Sequence, residues 1–200
     1  VIGQGQAVYH TAGALRDGRI VWIMAKMPES YEIVKGDQID KYIVLSTSHD
    51  GSQSLQISTT PIRVVCANTL RVAESRAKHT YRMKHTASIH DRVVEAREAL
   101  ELSNVYFNQM MQGLERLVQV TMTANDVSRF ADAVMNVDPE AEKIHTYKDN
   151  ARTQIFELFY TGRGQDIAGV RDTAYAGFNA VTEYLDNYQY VNAPNAGQTS

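Results

Sequence analysis

Residues 7–27, AVYHTAGALRDGRIVWIMAKM, decide the fold class. Two runs rich in β-branched and aromatic residues, 7–11 and 19–27, flank the tetrapeptide Arg16-Asp17-Gly18-Arg19. An Asp-Gly pair between such runs predicts a tight hairpin, because both residues tolerate a positive φ. Pro28 is expected to end the second strand, since it has no N–H to donate to a neighbouring strand. The stretch therefore predicts an antiparallel sheet.

Two more strands are predicted further along the chain. Residues 42–48 form the third, and the turn residues His49-Asp50-Gly51-Ser52 lead into a fourth over 54–66, which Pro61 is expected to interrupt. Alternation of apolar and polar residues at 55–59 is typical of a strand with one buried face. We therefore expect a four-stranded antiparallel meander over about residues 7–66.

A helical part is predicted to follow this meander. Asn68 is a suitable N-cap for a helix to about Lys78. Apolar residues with one polar interruption then recur at heptad spacing, at Ile89, Val93, Ala96, Leu100, Ser103, Phe107, Met110, Leu114 and Leu117. They predict one long helix over about residues 89–118, which fits either a seam against another helix or subunit or a core helix inside its own domain.

Two helices and a glycine-rich loop are predicted before the last helix. One helix begins at residues 123–126, and another covers 140–159. The loop is Gly162–Gly169, and the last helix, 172–187, is expected to turn Ala174, Phe178, Val181 and Leu185 inward. The fold class is thus α+β, with a β-meander and first helix at 1–79, a helical part packed on it at 80–191 and a flexible tail at 192–200.

Composition narrows the function classes. The chain has 200 residues, 22.4 kDa and one cysteine, Cys66, which excludes a disulfide framework within the chain. No apolar run is long enough to span a bilayer, and no signal peptide is recognisable, so a cytoplasmic protein without a membrane partner is expected. The first residue is Val1, which suggests a fragment or a processed chain.

Charge is distributed unevenly, although the net charge is only -3. Residues 63–97 hold eight Lys/Arg and three Asp/Glu, which makes this segment +5 and the remaining residues -8. A local positive surface of this kind attracts phosphates, and an aromatic ring within it can stack on bases. The candidate nucleic-acid-binding residues are Arg63, Arg71, Arg76, Lys78, Arg82 and Lys84, with Tyr81 for stacking. The alternative is a solvated surface of paired charges.

Other polar clusters are less specific. The glycine-rich loop lacks the Gly-Lys-Ser/Thr ending of a nucleotide-binding loop, so no cofactor is expected there. Arg163, Asp166 and Arg171 are interpreted as fixing this loop by ion pairs or as part of an interface. Asn179 and Glu183, four residues apart on the last helix, fit the same role. No metal site is assigned, because no histidine pair or Cys-x-x-Cys has ligand spacing.

Three separated motifs carry a family resemblance. They are SHDGS (48–52) with TPIRVVCANTL (60–70), Lys84-His85-Thr86, and GRG (162–164) with GVRDTA (169–174) and NAVTEY (179–184). Together they resemble the phage/plasmid-like protein family known as domain of unknown function 932, over nearly the whole chain. The resemblance implies residence on phages, prophages or plasmids of bacteria, and it implies no reaction.

Three functions remain open at this point. The first is a non-enzymatic nucleic-acid-binding protein that acts in mobile-element replication, recombination or maintenance. Its strand-then-helix order loosely resembles that of ring-forming single-strand annealing recombinases, which is an analogy of fold alone. The second is a homo-oligomeric interaction, counter-defence or virion-associated protein. The third is a metal-assisted enzyme that uses His49, Asp50 and a later histidine.

Overall fold

A computed structural model describes residues 7–52, 54–63, 80–83, 89–137 and 146–188 of the chain. The chain divides into two compact units, Val1–Ile33 with Gln38–Gln112, and Val34–Asp37 with Gly113–Ser200. The boundary that the sequence suggested, between residues 79 and 80, follows a stretch that lies outside the described residues, and it stays a prediction. The predicted tail at 192–200 lies outside them as well.

The first unit contains most of an antiparallel sheet. Its strands are β1 (Val8–Leu15), β2 (Ile20–Val34), β3 (Asp37–Ser48), β4 (Leu55–Arg63) and β5 (Thr80–Met83), and they lie side by side in chain order. The last residue of β2, Val34, and the first residue of β3, Asp37, group with the second unit, together with the turn between them. The predicted α+β class, with a four-stranded antiparallel sheet before the helices, is confirmed.

The first hairpin forms for the reason that its sequence suggests. Asp17 and Gly18 both have a positive φ, of 56° and 85°, and the Arg19 N–H donates to the Arg16 carbonyl at 3.2 Å. A positive φ at Asp17 and at Gly18 is what a type I′ turn requires, and Arg16 before them is also left-handed, with a φ of 50°. Leu15 and Ile20 are therefore directly paired across β1 and β2.

Both prolines lie inside strands, so the predicted ending at Pro28 and interruption at Pro61 are wrong. Pro28 is exposed and lies beyond Lys26, the last residue of β2 that is paired with β1. Pro61 pairs with Lys41 of β3 and lies beyond the part of β4 that is paired with β5. At each proline one side of the strand lacks a partner strand among the described residues, so a missing N–H is tolerated there.

A fifth strand, which the sequence did not predict, lies inside the basic segment 63–97. Thr80–Met83 forms β5 and pairs with β4 from Ser58↔Thr80 to Leu55↔Met83. The Thr80-Tyr81 pair has β propensity, and the outer side of β4 offers it backbone groups to pair with. The predicted helix at 68–78 lies outside the described residues.

Within the described residues, four helices follow the sheet. They are α1 (Ile89–Val118), α2 (Ala124–Val134), α3 (Thr146–Thr161) and α4 (Ala174–Asn187). Near the C-terminal end of α1 the heptad residues Phe107 and Leu114 are buried within the chain, which leaves them unavailable for a seam with another subunit. No helix in the described ranges is both long and apolar enough to cross a membrane.

The second helix begins where the sequence predicted. Thr123 is the N-cap of α2, and its hydroxyl accepts from the Asp126 N–H while the Asp126 carboxylate accepts from the Thr123 N–H at 2.9 Å. This reciprocal pair is a capping box, which satisfies two donors that a helix start leaves free.

The buried face of α4 differs from the predicted one. Phe178 is exposed, and Ala174, Val181 and Leu185 are only partly buried. The buried residues are Tyr175, Ala176, Gly177, Asn179, Ala180, Glu183 and Tyr184. Small residues on this face let α4 pack closely against α2 and α3. This packing determines which face of α4 is buried, and it also buries the polar side chains of Asn179 and Glu183.

Candidate functional site

Only part of the predicted basic site lies in the described residues. Arg63 ends β4, is buried, and has an interaction partner. Arg71, Arg76, Lys78 and Lys84 lie outside the described residues. Arg63 is thus a poor candidate for an exposed phosphate contact, and the other four stay predictions.

Tyr81 and Arg82 are placed by their strand. In β5, Tyr81 pairs with Ile57 and Arg82 pairs with Gln56. These consecutive positions belong to opposite faces of the sheet. Because β5 is last in the sheet order, its backbone has an outer side without a partner strand in the described part of the chain. The basic segment 63–97 therefore contains a sheet edge.

A buried lysine lies on the face of the sheet toward α1. Lys41 is 2 % exposed; its Nζ donates to Asn104 Oδ1 and lies 5.7 Å from the centre of the Phe107 ring. Burial lowers the pKa of the Lys41 amine, and the Glu29 carboxylate opposes this effect. This residue was not among the candidates predicted from the sequence, although it stands between Ile39 and Ile43 at the apolar positions of β3.

The opposite face of β3 carries an ion pair. The Lys26 Nζ lies 2.5 Å from Asp40 Oδ2, and Gln38 donates to the other oxygen at 3.0 Å. The hydrogen bond to Asp40 raises the pKa of Lys26. Burial, followed by the Asp40 charge, raises the pKa of Tyr42, whose ring packs edge-to-face against His10 at 5.1 Å. These groups satisfy one another, which is the behaviour of a structural cluster.

The proposed metal ligands occupy a turn. Asp50 Oδ1 accepts from the Ser52 N–H at 2.9 Å, and hydrogen bonds from Ser52 hold the pKa of this exposed carboxyl below its usual range. Among the described residues, no three His, Cys, Asp or Glu side chains are grouped as a metal site would require. His79 and His85 lie outside these residues. The geometry of Asp50 is explained by turn formation.

Buried polar side chains of α4 and of the glycine-rich loop make hydrogen bonds around this loop. Glu183 is buried, and its Oε2 accepts from the Arg163 backbone N–H at 2.9 Å. Gln165 is also buried, and its amide donates to the carbonyls of Leu158 and Ala176 at 3.2 and 2.9 Å. The Gln165 side chain thus connects the end of α3 to the start of α4.

The other predicted loop residues are divided between surface and core. Asp166 and Arg171 are exposed, whereas Asn179 is buried four residues before Glu183. Burial raises the pKa of neighbouring Tyr184 to about 12, with a further contribution from the Tyr147 hydroxyl. The loop-fixing role stays a prediction, and the contact that Arg163 makes with Glu183 is through its backbone.

Comparison with known proteins places the chain in a family without assigning an activity. No curated protein and no solved structure matches it. The model of one family, described as domain of unknown function (DUF932), matches residues 1–199. The chain therefore belongs to the DUF932 family.

Proposed function

We propose that this protein binds nucleic acid, without catalysis, in the replication, recombination or maintenance of phage or plasmid DNA in the bacterial cytoplasm. The observation that carries the proposal is the charge distribution: segment 63–97 is +5 on a body of -8. Attraction to a polyanion is governed by the charges within about 10 Å, so a local surplus can bind phosphates despite a net negative chain.

The position of β5 supports the same proposal. This strand lies inside the basic segment and at one end of the sheet order. An edge strand exposes backbone donors, and a sheet edge with cations and one aromatic residue, Tyr81, combines the groups that bind a single strand. The phage and plasmid setting implied by the family resemblance is consistent with such a role.

Binding is tested by fluorescence anisotropy with labelled single-stranded and duplex DNA of about 30 nucleotides, at about 50 to 200 mM salt. The wild type should bind DNA at low salt, and the logarithm of its binding constant should fall linearly with the logarithm of the salt concentration. Arg76→Glu with Lys78→Glu should weaken binding roughly tenfold or more and reduce the salt slope by about 1.4 for a single strand, as two lost phosphate contacts require.

The matched control is Arg116→Glu with Arg129→Glu. Both arginines are exposed and lie outside the basic segment, and the charge change is the same. This control should bind more tightly than the Arg76 and Lys78 variant. Equal weakening by the two double variants would show that only net charge matters, and undetectable binding by the wild type at low salt would exclude the function.

A further inference from the structure

The edge of the sheet opposite β5 is formed by β1. This strand pairs with β2 from Val8↔Lys26 to Leu15↔Ile20, and it is first in the sheet order. No strand of the described residues pairs with its outer side. Within the part of the chain that the structure describes, this eight-residue strand therefore has no partner for its outward-facing N–H and C=O groups.

Most of the usual protection of an edge strand is missing from β1. Its sequence, VYHTAGAL, contains no Asp, Glu, Lys, Arg or Pro. Edge strands normally carry such residues, or are very short, because they would otherwise pair with another chain. The one irregularity is the change of register between Tyr9 and Thr11, which leaves five consecutive paired residues after it.

Exposed apolar side chains accompany this edge. Tyr9 is 67 % exposed and Ile23 of β2 is 49 % exposed. Tyr9 pairs with Ala25 and Ala12 pairs with Ile23, so Tyr9, Ala12 and Ile23 lie on one face of the sheet. We call these three residues the β1 patch. The opposite face at this edge is covered differently, because the Trp22 ring lies over Gly13.

We propose that β1 pairs antiparallel with β1 of a second copy of this chain, about a two-fold axis. The unpaired backbone groups specify an extended strand as the partner. The absence of charged side chains favours a copy of itself, since a neutral strand placed against its own sequence brings no like charges together. Two-fold pairing also brings the two β1 patches side by side, which removes apolar surface from water.

This inference does not depend on nucleic-acid binding. Because β1 and β5 lie at opposite ends of the sheet order, pairing through β1 leaves β5 of each copy available. It also differs from the seam along α1 that the heptad spacing allowed, because Phe107 and Leu114 are buried within their own chain.

The test is light scattering after size exclusion and sedimentation equilibrium, up to about 100 µM protein and without nucleic acid. The wild type should have twice the mass of one 22.4-kDa chain. Ala12→Glu, in the middle of the exposed strand, places like charges together and should raise the dimer dissociation constant by about tenfold or more. Val105→Glu, on an exposed position of α1, should leave it unchanged.

A second variant replaces the first if Ala12→Glu fails to fold. If circular dichroism shows that Ala12→Glu is unfolded, Tyr9→Lys replaces it, because a residue that is 67 % exposed contributes little to the core. A monomeric wild type at the highest concentration would overturn the proposal. So would a dimer that a folded Ala12→Glu or Tyr9→Lys variant leaves intact.

Discussion

Gly162→Ala is expected to destabilise the helical unit because there is no room for the added methyl group. A Cβ at this position would lie 2.5 Å from the Leu158 carbonyl oxygen and 2.8 Å from Glu183 Oε2. Both distances are shorter than any normal contact, and the first is to backbone, which cannot rotate away. Gly162 does not have a positive φ, so space and not backbone conformation is what requires glycine here.

The size of the effect follows from these contacts. Overpacking costs about 1–3 kcal/mol. Displacing Glu183 also weakens the charged hydrogen bond from the Arg163 N–H, which contributes roughly 1.5–3 kcal/mol. Alanine also lowers the conformational entropy of the unfolded chain, which offsets this loss of stability by about 0.4–1 kcal/mol. The expected net loss of unfolding free energy is therefore about 3 kcal/mol.

Gly113→Ala is the matched control. Gly113 lies inside α1, and a Cβ there would meet nothing within 4 Å. Alanine should stabilise this helix by about 0.5–1 kcal/mol. Urea denaturation followed by circular dichroism measures both variants. The reasoning is refuted if Gly162→Ala is as stable as the wild type, or if both substitutions shift the midpoint in the same direction.

Three more changes test other parts of the structure by chemical denaturation. Lys41→Met should stabilise the protein by about 1–2 kcal/mol at neutral pH, because it removes a buried amine whose Asn104 partner is exposed. Burial lowers the pKa of Lys41 in the folded protein, so the unfolded chain holds the Lys41 proton more tightly than the folded chain does. The extra stability of Lys41→Met over the wild type should therefore shrink as pH rises toward 10.5. A stability difference that does not change with pH would contradict this. Tyr184 has a raised folded-state pKa, so its stabilising effect is present below about pH 10 and lost as pH rises through about 12. Tyr184→Phe should lack this loss, which is at most about 3 kcal/mol, and parallel alkaline curves for the two proteins would argue against it. Thr123→Ala should cost about 1 kcal/mol by removing the cap of α2, and unchanged stability would contradict the capping geometry.

Local signals predicted the first hairpin turn and the start of α2. The Asp17-Gly18 turn and the Thr123 cap each depend on residues within four positions of each other, so short-range chemistry determines them. The strand prolines were misread for a physical reason. The cost of a missing N–H depends on which side of the strand has a partner, and sequence alone does not contain that information.

Long-range packing determined what the sequence did not predict. The rotation of α4 follows from small residues that fit against α2 and α3, so Phe178 faces outward despite its size. Glu183 was singled out from its spacing to Asn179, but its partner, the Arg163 backbone N–H, is twenty residues away. Lys41 could have been found from the apolar residues on either side of it in the period-two pattern of β3.

The location of the nucleic-acid contact is the central claim, and cross-linking measures it directly. The protein would be irradiated with single-stranded DNA that carries photoreactive 5-iodouracil, and the attached peptides would be identified by mass spectrometry. The account predicts cross-links to Tyr81 and to other peptides within residues 63–97. Cross-links confined to the helical residues 146–188, or none under conditions where a known single-strand-binding protein reacts, would contradict it.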